Sequence, residues 1–133
     1  MVEALCVDPA RVAGIWPLVS SLIRAALENS LTDFAIIERE VLDGRMLLWL
    51  ACDGANIRAA AVTQLSQSNG KRFCTIVACG GRGFRRWKHL IAKLEQFARD
   101  EGCNSIVIIG RRGWQREYAD YKLKRVTLEK ELN

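Results

Sequence analysis

Histidine, proline and paired cysteines are what this chain of 133 residues has least of. It has one histidine, His89, and five cysteines with no CxxC spacing among them. That leaves no ligand set at structural zinc intervals, and no metal site is expected. The cysteines (Cys6, Cys52, Cys74, Cys79 and Cys103) are odd in number and mostly sit in apolar runs. A thiol there packs as a small hydrophobe, so they read as reduced residues rather than a disulfide framework. No apolar stretch approaches the roughly 18 residues a spanning helix needs. Met1-Val2-Glu3-Ala4 lacks the basic stretch and apolar core of an export signal. A cytoplasmic protein without membrane contact is the expectation. Repeats, low-complexity tracts and linkers are also missing, so residues 1–133 read as one domain. With one histidine, no nucleophilic triad assembles, and no cysteine carries the motif of an activated thiol.

Half of the residues are apolar, enough to fill a sizeable core. The net charge of +5 is unevenly spread. Lys71, Arg72, Arg82, Arg85, Arg86, Lys88 and Lys93 follow one another with no acid between them, and Arg111, Arg112, Arg116, Lys122, Lys124 and Arg125 form a second group. Clustering of this kind suits a phosphorylated cofactor, a nucleic acid or an acidic protein surface. Phe84, Trp87 and Trp114 interleave with the charges as in single-strand binders. No nucleic-acid motif accompanies them, so nucleic acid is not the expected partner.

Hydrophobic periodicity sets the element order. Val2 to Val7 reads as a short strand. From Pro9 a helix should bury Ile15, Leu18, Val19, Leu22, Ile23 and Ala26, with a kink or split at Pro17. A second helix spans Asp33 to Leu42 and stops at Asp43-Gly44. Met46 to Cys52 is a buried strand, and Asp53-Gly54-Ala55-Asn56 a hairpin turn. Ile57 to Leu65 and Phe73 to Cys79 are further strands, joined by a turn at Ser66 to Gly70. A helix from Phe84 to Asp100 presents Trp87, Leu90, Ile91, Leu94, Phe97 and Ala98, and Gly102 ends it. Ser105 to Ile109 has the unbroken apolar character of a parallel strand. A short helix near Trp114 to Ala119 follows. Leu123 to Leu132, with Val126 and Leu128 alternating against Thr127 and Glu129, reads as a half-exposed strand. The sum is an α/β domain: a mixed sheet flanked by helices.

The strand ending near Cys79 leads into Gly80-Gly81-Arg82-Gly83-Phe84-Arg85-Arg86-Trp87, a glycine-rich turn opening a helix. Free amides and the helix dipole favour an anion at such a place. Cations in the first helical turn oppose the dipole by roughly 0.3–1 kcal/mol each, a penalty that a bound polyanion reverses. A solvated basic surface over an ordinary crossover is the simpler alternative.

This element order and turn resemble the GNAT N-acetyltransferase superfamily. Its cofactor signature, R-G-x-G-x-G/A at a helix start followed by an Ala-Arg and a glycine, meets Arg82-Gly83, Ala98-Arg99 and Gly102 here. The resemblance implies a single GNAT-like acyl-CoA N-acyltransferase domain. It implies that Arg82, Gly83, Phe84, Arg85, Arg86 and Trp87 hold the pyrophosphate of acetyl-CoA. Backbone at Ile76, Val77 and Ala78 would pair with the pantetheine arm. Arg85 and Trp87 depart from the pattern, standing where the family has glycine and a small residue. Trp87 also fits the apolar face of the helix, and Arg85 reads either as damage to the site or as a side-chain replacement for lost backbone contacts.

The family's Y-x-K-x-G-F pattern falls on Tyr118 to Leu123, which implies Tyr118 as the acid that protonates the departing CoA thiolate, with Tyr121 as the alternative. Either ring also reads as an ordinary amphipathic surface residue. Glu38 and Glu40 lie where family members meet the acceptor, and a solvated helix face is the simpler reading of both. His89 reads as a partly buried structural histidine. The implied function is acyl transfer from acetyl-CoA to an unspecified amine. The stretch Gly110 to Trp114 and the chain end also resemble small phage and prophage GNAT-like proteins. That resemblance implies, as the alternative, an inactive binding or virion-assembly module with a phage protein partner. Homodimerisation is compatible with either reading.

Overall fold

The computed structural model describes residues 2–28, 30–81, 88–109 and 118–132. Five strands form one sheet in chain order: β1 (Val2–Cys6), β2 (Leu47–Asp53), β3 (Asn56–Ser68), β4 (Lys71–Gly81) and β5 (Ser105–Ile108). The first four are antiparallel neighbours, whereas β5 runs parallel to β4. Parallel strands need a crossover, and α3 (Lys88–Asp100) lies within it. Between β1 and β2 come α1 (Val12–Ala26) and α2 (Phe34–Leu42). This is the mixed α/β arrangement expected from the sequence. Among the described residues, no helix is long and apolar enough to cross a membrane.

The sheet buries both faces. One carries Leu48, Leu50, Ala60, Val62 and Ala78 against Val12, Trp16, Val19 and Ile23 of α1 and Ile37 and Val41 of α2. The other carries Trp49, Ala51, Ala59, Ala61 and Ile76 against Leu90, Ile91 and Leu94 of α3. Because β3 is the central strand, both sides of Ala59-Ala60-Ala61-Val62 are covered, and all four are fully buried. Small residues there leave room for larger neighbours. Ala61 pairs with Trp49, whose ring meets Phe97 edge-on at 5.1 Å between centroids.

Several local expectations are corrected. The buried stripe of α1 is Val12, Trp16, Val19 and Ile23, continued by Leu27, while Leu18 is 67% exposed and Ala26 faces solvent. Trp16 has more apolar area to bury than Leu18, and the helix presents that side. Pro17 does not split the helix; a separate 3₁₀ turn at Pro9–Arg11 precedes it, capped by Asp8. The turn expected at Ser66 to Gly70 shrinks to Asn69-Gly70, both with positive φ (52° and 75°), and the strands extend to Ser68 and from Lys71. Positive φ at both central residues is the hairpin geometry that matches strand twist. His89 is exposed rather than partly buried. Residues 123–132 form no strand; they run as exposed coil. Asp33 caps α2 as expected, its carboxylate accepting from the Ala35 amide at 3.0 Å.

One buried polar pair ties β2 to β3 across this core. The Trp49 indole Nε1–H donates to Thr63 Oγ1 at 2.9 Å, and both residues are buried. Thr63→Val keeps the shape and strands the indole donor, which costs about 1–3 kcal/mol. Urea unfolding should therefore show a lower midpoint with an unchanged slope.

Candidate functional site

The site is built around the C-terminal half of β4. Pairing of β4 with β3 continues to Ala59↔Gly81, but pairing with β5 ends at Ile76↔Ile108. One further amide, that of Ile109, reaches the Ile76 carbonyl at 3.4 Å. Beyond it, Val77 to Gly81 have β3 on one side and, among the described residues, no strand on the other. The two parallel strands thus part next to Ile76.

A bulge in β4 sits at the point of parting. Val62 faces Ala78 and Thr63 faces Ile76, which leaves Val77 as an extra residue with no opposite number. A bulge bends its strand, increases local twist and reverses side-chain alternation. Ile76 accordingly belongs to the α3-side cluster, whereas Val77 and Ala78, though consecutive, both pack on the α1 side. Two residues further on, Gly80 also turns toward α1. A Cβ there would collide with the Leu22 backbone, whose carbonyl carbon would be 2.9 Å away and its oxygen closer still. A Cβ on Gly81 would lie 2.6 Å from the Arg58 carbonyl oxygen and 2.7 Å from the Ala59 Cβ. The Gly80-Gly81 pair is therefore strand, not the start of the turn. Close approach by a helix and a neighbouring strand requires glycine here.

Ile76 and Ala78 are buried and Val77 is half-buried, so what these three can offer a ligand is backbone rather than side chain. Arg82, Gly83, Phe84, Arg85, Arg86 and Trp87 lie outside the described residues, as do residues 110–117. Tyr118 is half-buried and packs on the α3-side cluster that also holds Ile76, Ile106 and Ile108. Tyr121 joins the same cluster, its ring 6.0 Å from that of Tyr118 at 73°. Its hydroxyl donates to Glu95 Oε2 on α3 at 2.7 Å. Burial and then the Glu95 carboxylate push the Tyr121 phenol well above its ordinary range. Tyr121 is thus tied to α3 by its hydroxyl, and Tyr118 packs beside the diverging strands.

Both candidate carboxylates have hydrogen-bond partners, Glu38 in a part-buried contact and Glu40 in an exposed one. Glu38 Oε2 accepts from the Trp16 indole at 2.7 Å. Glu40 takes two hydrogen bonds from Arg45, at 2.6 and 3.1 Å, and the guanidinium holds it below the usual carboxylate range. A carboxylate stabilised as an anion is a weaker base. Cys79, on the length of β4 that outruns β5, has its thiol pushed up to about 12 by burial, which makes it a poor nucleophile at neutral pH. The parting of the strands and the bulge at Val77 were not legible in the sequence, because the register of β3 against β4 is set by the tertiary contacts of both.

Several solved structures share this architecture, acetyltransferases among them. A GNAT family acetyltransferase from Staphylococcus aureus superposes with TM-score 0.68 at 13% identity, over 98% of this chain and 98% of its own. The fold is the GNAT fold. A predicted acetyltransferase from Clostridium acetobutylicum, solved with acetyl-CoA, matches 100% of this chain and 96% of its own at TM-score 0.67 and 14% identity. A ribosomal-protein-alanine N-acetyltransferase from Brucella melitensis matches 100% of both chains at TM-score 0.68 and 15% identity. No family model matches the sequence, and no curated protein does. At such identities the likeness is one of fold.

Within this GNAT fold, Gly80→Ala should act as overpacking where α1 crosses β4, destabilising by about 1–3 kcal/mol. A melting temperature equal to that of the parent would show that α1 moves freely off the strand.

Proposed function

We propose that this chain binds an acyl-CoA where β4 and β5 part and passes the acyl group to an amine. The observation that carries the reading is the length of β4 from Val77 to Gly81, which outruns its β5 partner. An extended strand edge with unpaired N–H and C=O groups can take an extended ligand arm by backbone pairing. The residues fit such a ligand. The edge is backbone lined by Val77, Ala78 and two glycines, and the next residues in sequence bring Arg82, Arg85 and Arg86 for a pyrophosphate. Gly83 would allow close approach to the chain there, and Phe84 and Trp87 complete the segment.

When bound, an acyl-CoA supplies an acyl group activated as a thioester. The part of the protein is chiefly positioning, which can lower a barrier by about 7–11 kcal/mol when the reactants are well oriented. Backbone N–H groups at the Val77 bulge are suited to donate to a carbonyl oxygen as charge gathers on it. Tyr118 Oη holds the proton taken up by the leaving sulfur. Glu40, tied to Arg45, is not assigned as base, and Glu38 is occupied by Trp16. An amine that arrives neutral needs no carboxylate to begin the attack. The acetyl-CoA held by the Clostridium protein and the likeness to the acetyltransferases from Brucella and Staphylococcus support the same reading.

Calorimetric titration with acetyl-CoA and with CoA should give micromolar binding, about −8 kcal/mol. Gly83→Trp should abolish it while leaving the circular dichroism spectrum unchanged. Absence of heat together with absence of a thermal shift would remove the acyl-CoA reading and leave a binding module, the phage-type alternative among them. In a supported transfer assay, Tyr118→Phe should lower kcat by roughly 10²–10⁴-fold, the usual weight of general acid catalysis, with little change in KM. An unchanged kcat would take Tyr118 out of the mechanism.

A further inference from the structure

The strand β1 forms the edge of the sheet opposite β5, and among the described residues no strand lies on its outer side. Native edges are usually blunted by lysine, proline, a bulge or a covering element. Val2-Glu3-Ala4-Leu5-Cys6 has no lysine or proline, and its register against β2 runs without a bulge. Glu3, Leu5 and Cys6 are exposed, Leu5 at 40%. The phase of its backbone groups can be read from one bond. Facing residues of an antiparallel pair alternate between those that exchange hydrogen bonds and those that do not. The Val7 amide donates at 2.8 Å to the carbonyl of Leu48, the residue opposite it when the β1–β2 register is continued. Val7, Leu5 and Glu3 therefore direct their N–H and C=O groups to β2, and Val2, Ala4 and Cys6 direct theirs outward. Side chains alternate as well. Val7 is buried on the α1 side and Val2 and Ala4 pack on the α3 side, which puts Glu3 and Leu5 on the α1 side.

We infer that the outer edge of β1 pairs antiparallel with the same edge of a second copy, about a two-fold axis at Ala4, so that the two sheets become one. The outward groups fit this axis. Ala4 faces Ala4 of the other copy and exchanges both bonds with it, and Val2 and Cys6 face each other across the axis and do the same. A second copy is the occupant because the edge is complementary to itself in this register, the condition for a closed two-fold contact. All of β1 then pairs. Centring on Glu3 would set two carboxylates directly opposite each other, which destabilises a strand pair. Centring on Leu5 would leave Val2 without a partner. About Ala4, Glu3 faces Leu5 of the other copy, so no like charges meet. The small side chain at the axis lies on the side covered by α3, where a larger one would crowd the two helices. On the opposite side, Leu5 gains an apolar contact with the Glu3 stem. The inference is independent of the acyl-CoA reading.

Light scattering after size exclusion, with a thiol reductant present because Cys6 is exposed, should report twice the 15.0 kDa chain mass at high concentration and the single mass on dilution. Leu5→Glu sets a carboxylate opposite Glu3 at both related positions and should raise the dissociation constant roughly tenfold. Adding Glu3→Lys to Leu5→Glu should bring the constant back to that of the parent or below, an outcome specific to this register. All three proteins should give the same far-ultraviolet spectrum, since both side chains are exposed in the single chain. Amide exchange followed by nuclear magnetic resonance needs no variant. The Ala4 and Cys6 amides should slow as concentration rises, while the Val7 amide stays slow at every concentration. A parent that remains monomeric across the series would overturn the inference. So would a dimer whose Ala4 and Cys6 amides exchange independently of concentration, or one that Leu5→Glu leaves unchanged.

Discussion

Leu22 on α1 comes so near β4 that position 80 has no room for a side chain, and the end of the sheet that holds the candidate site depends on that approach. A helix can lie this close only where the strand offers glycine. Gly80 can face the helix only because the bulge at Val77 shifts alternation by one residue. Without the bulge, Ala78 would point at α3 and Gly80 with it, and α1 would meet a side chain instead. The same bulge bends β4 as β5 stops pairing with it. One irregularity thus seats the N-terminal helix, opens the sheet and leaves a length of β4 that, among the described residues, has no partner beyond β3. Each consequence is local, but they share a cause in the register of β3 against β4.

Around this point the structure satisfies its polar groups with few partners. The indoles of Trp16 and Trp49 lie on opposite faces of the sheet, and each finds one acceptor, Glu38 and Thr63. Both pairings carry weight because the rings are buried, and an unmet indole donor in such a place costs more than the bond contributes when made. Trp16 also stacks near Phe34, whose other contact is the Arg24 guanidinium at 4.0 Å from the ring centre. This cluster joins α1 to α2 and accounts for the position of Glu38. The exposed Arg45 ties Glu40 and Asp43 together at the end of α2. As an exposed network it adds little to stability, but the guanidinium holds Glu40 below the usual carboxylate range. Carboxylates that had looked solvent-facing are engaged by neighbours that are not adjacent in sequence.

The sequence is most readable where a local period meets a single demand. The alternation and apolar runs of β2, β3 and β4, the face of α3 and the cap at Asp33 needed only the residue pattern, because each element buries one kind of side chain against a layer. The hairpin at Asn69-Gly70 was visible as a turn and misjudged in length, since the flanking polar residues gave no sign that pairing ran so far. At α1 the expected stripe through Leu18 and Ala26 and the buried stripe through Val12 and Trp16 share Val19 and Ile23. The larger ring of Trp16 chose between them, a choice made by the space above the sheet. The segment from Leu123 to Leu132 carries a strand pattern and no strand, because a strand exists only with a partner and the described residues supply none.

By itself the sequence determined the element order as far as β5, the mixed character of the sheet and the basic glycine-containing segment after β4, since periodicity, turn chemistry and charge are properties of neighbouring residues. It also placed Tyr118 and Tyr121 together as alternatives. Tertiary structure alone decided that the Tyr121 hydroxyl is taken, because the Glu95 carboxylate that accepts from it comes from 26 residues away. It decided likewise that Gly80 serves a helix contact rather than a turn, and that β4 outruns β5. Each of these is a matter of which distant backbone lies within a few ångströms, and a linear pattern of residue types does not encode that distance.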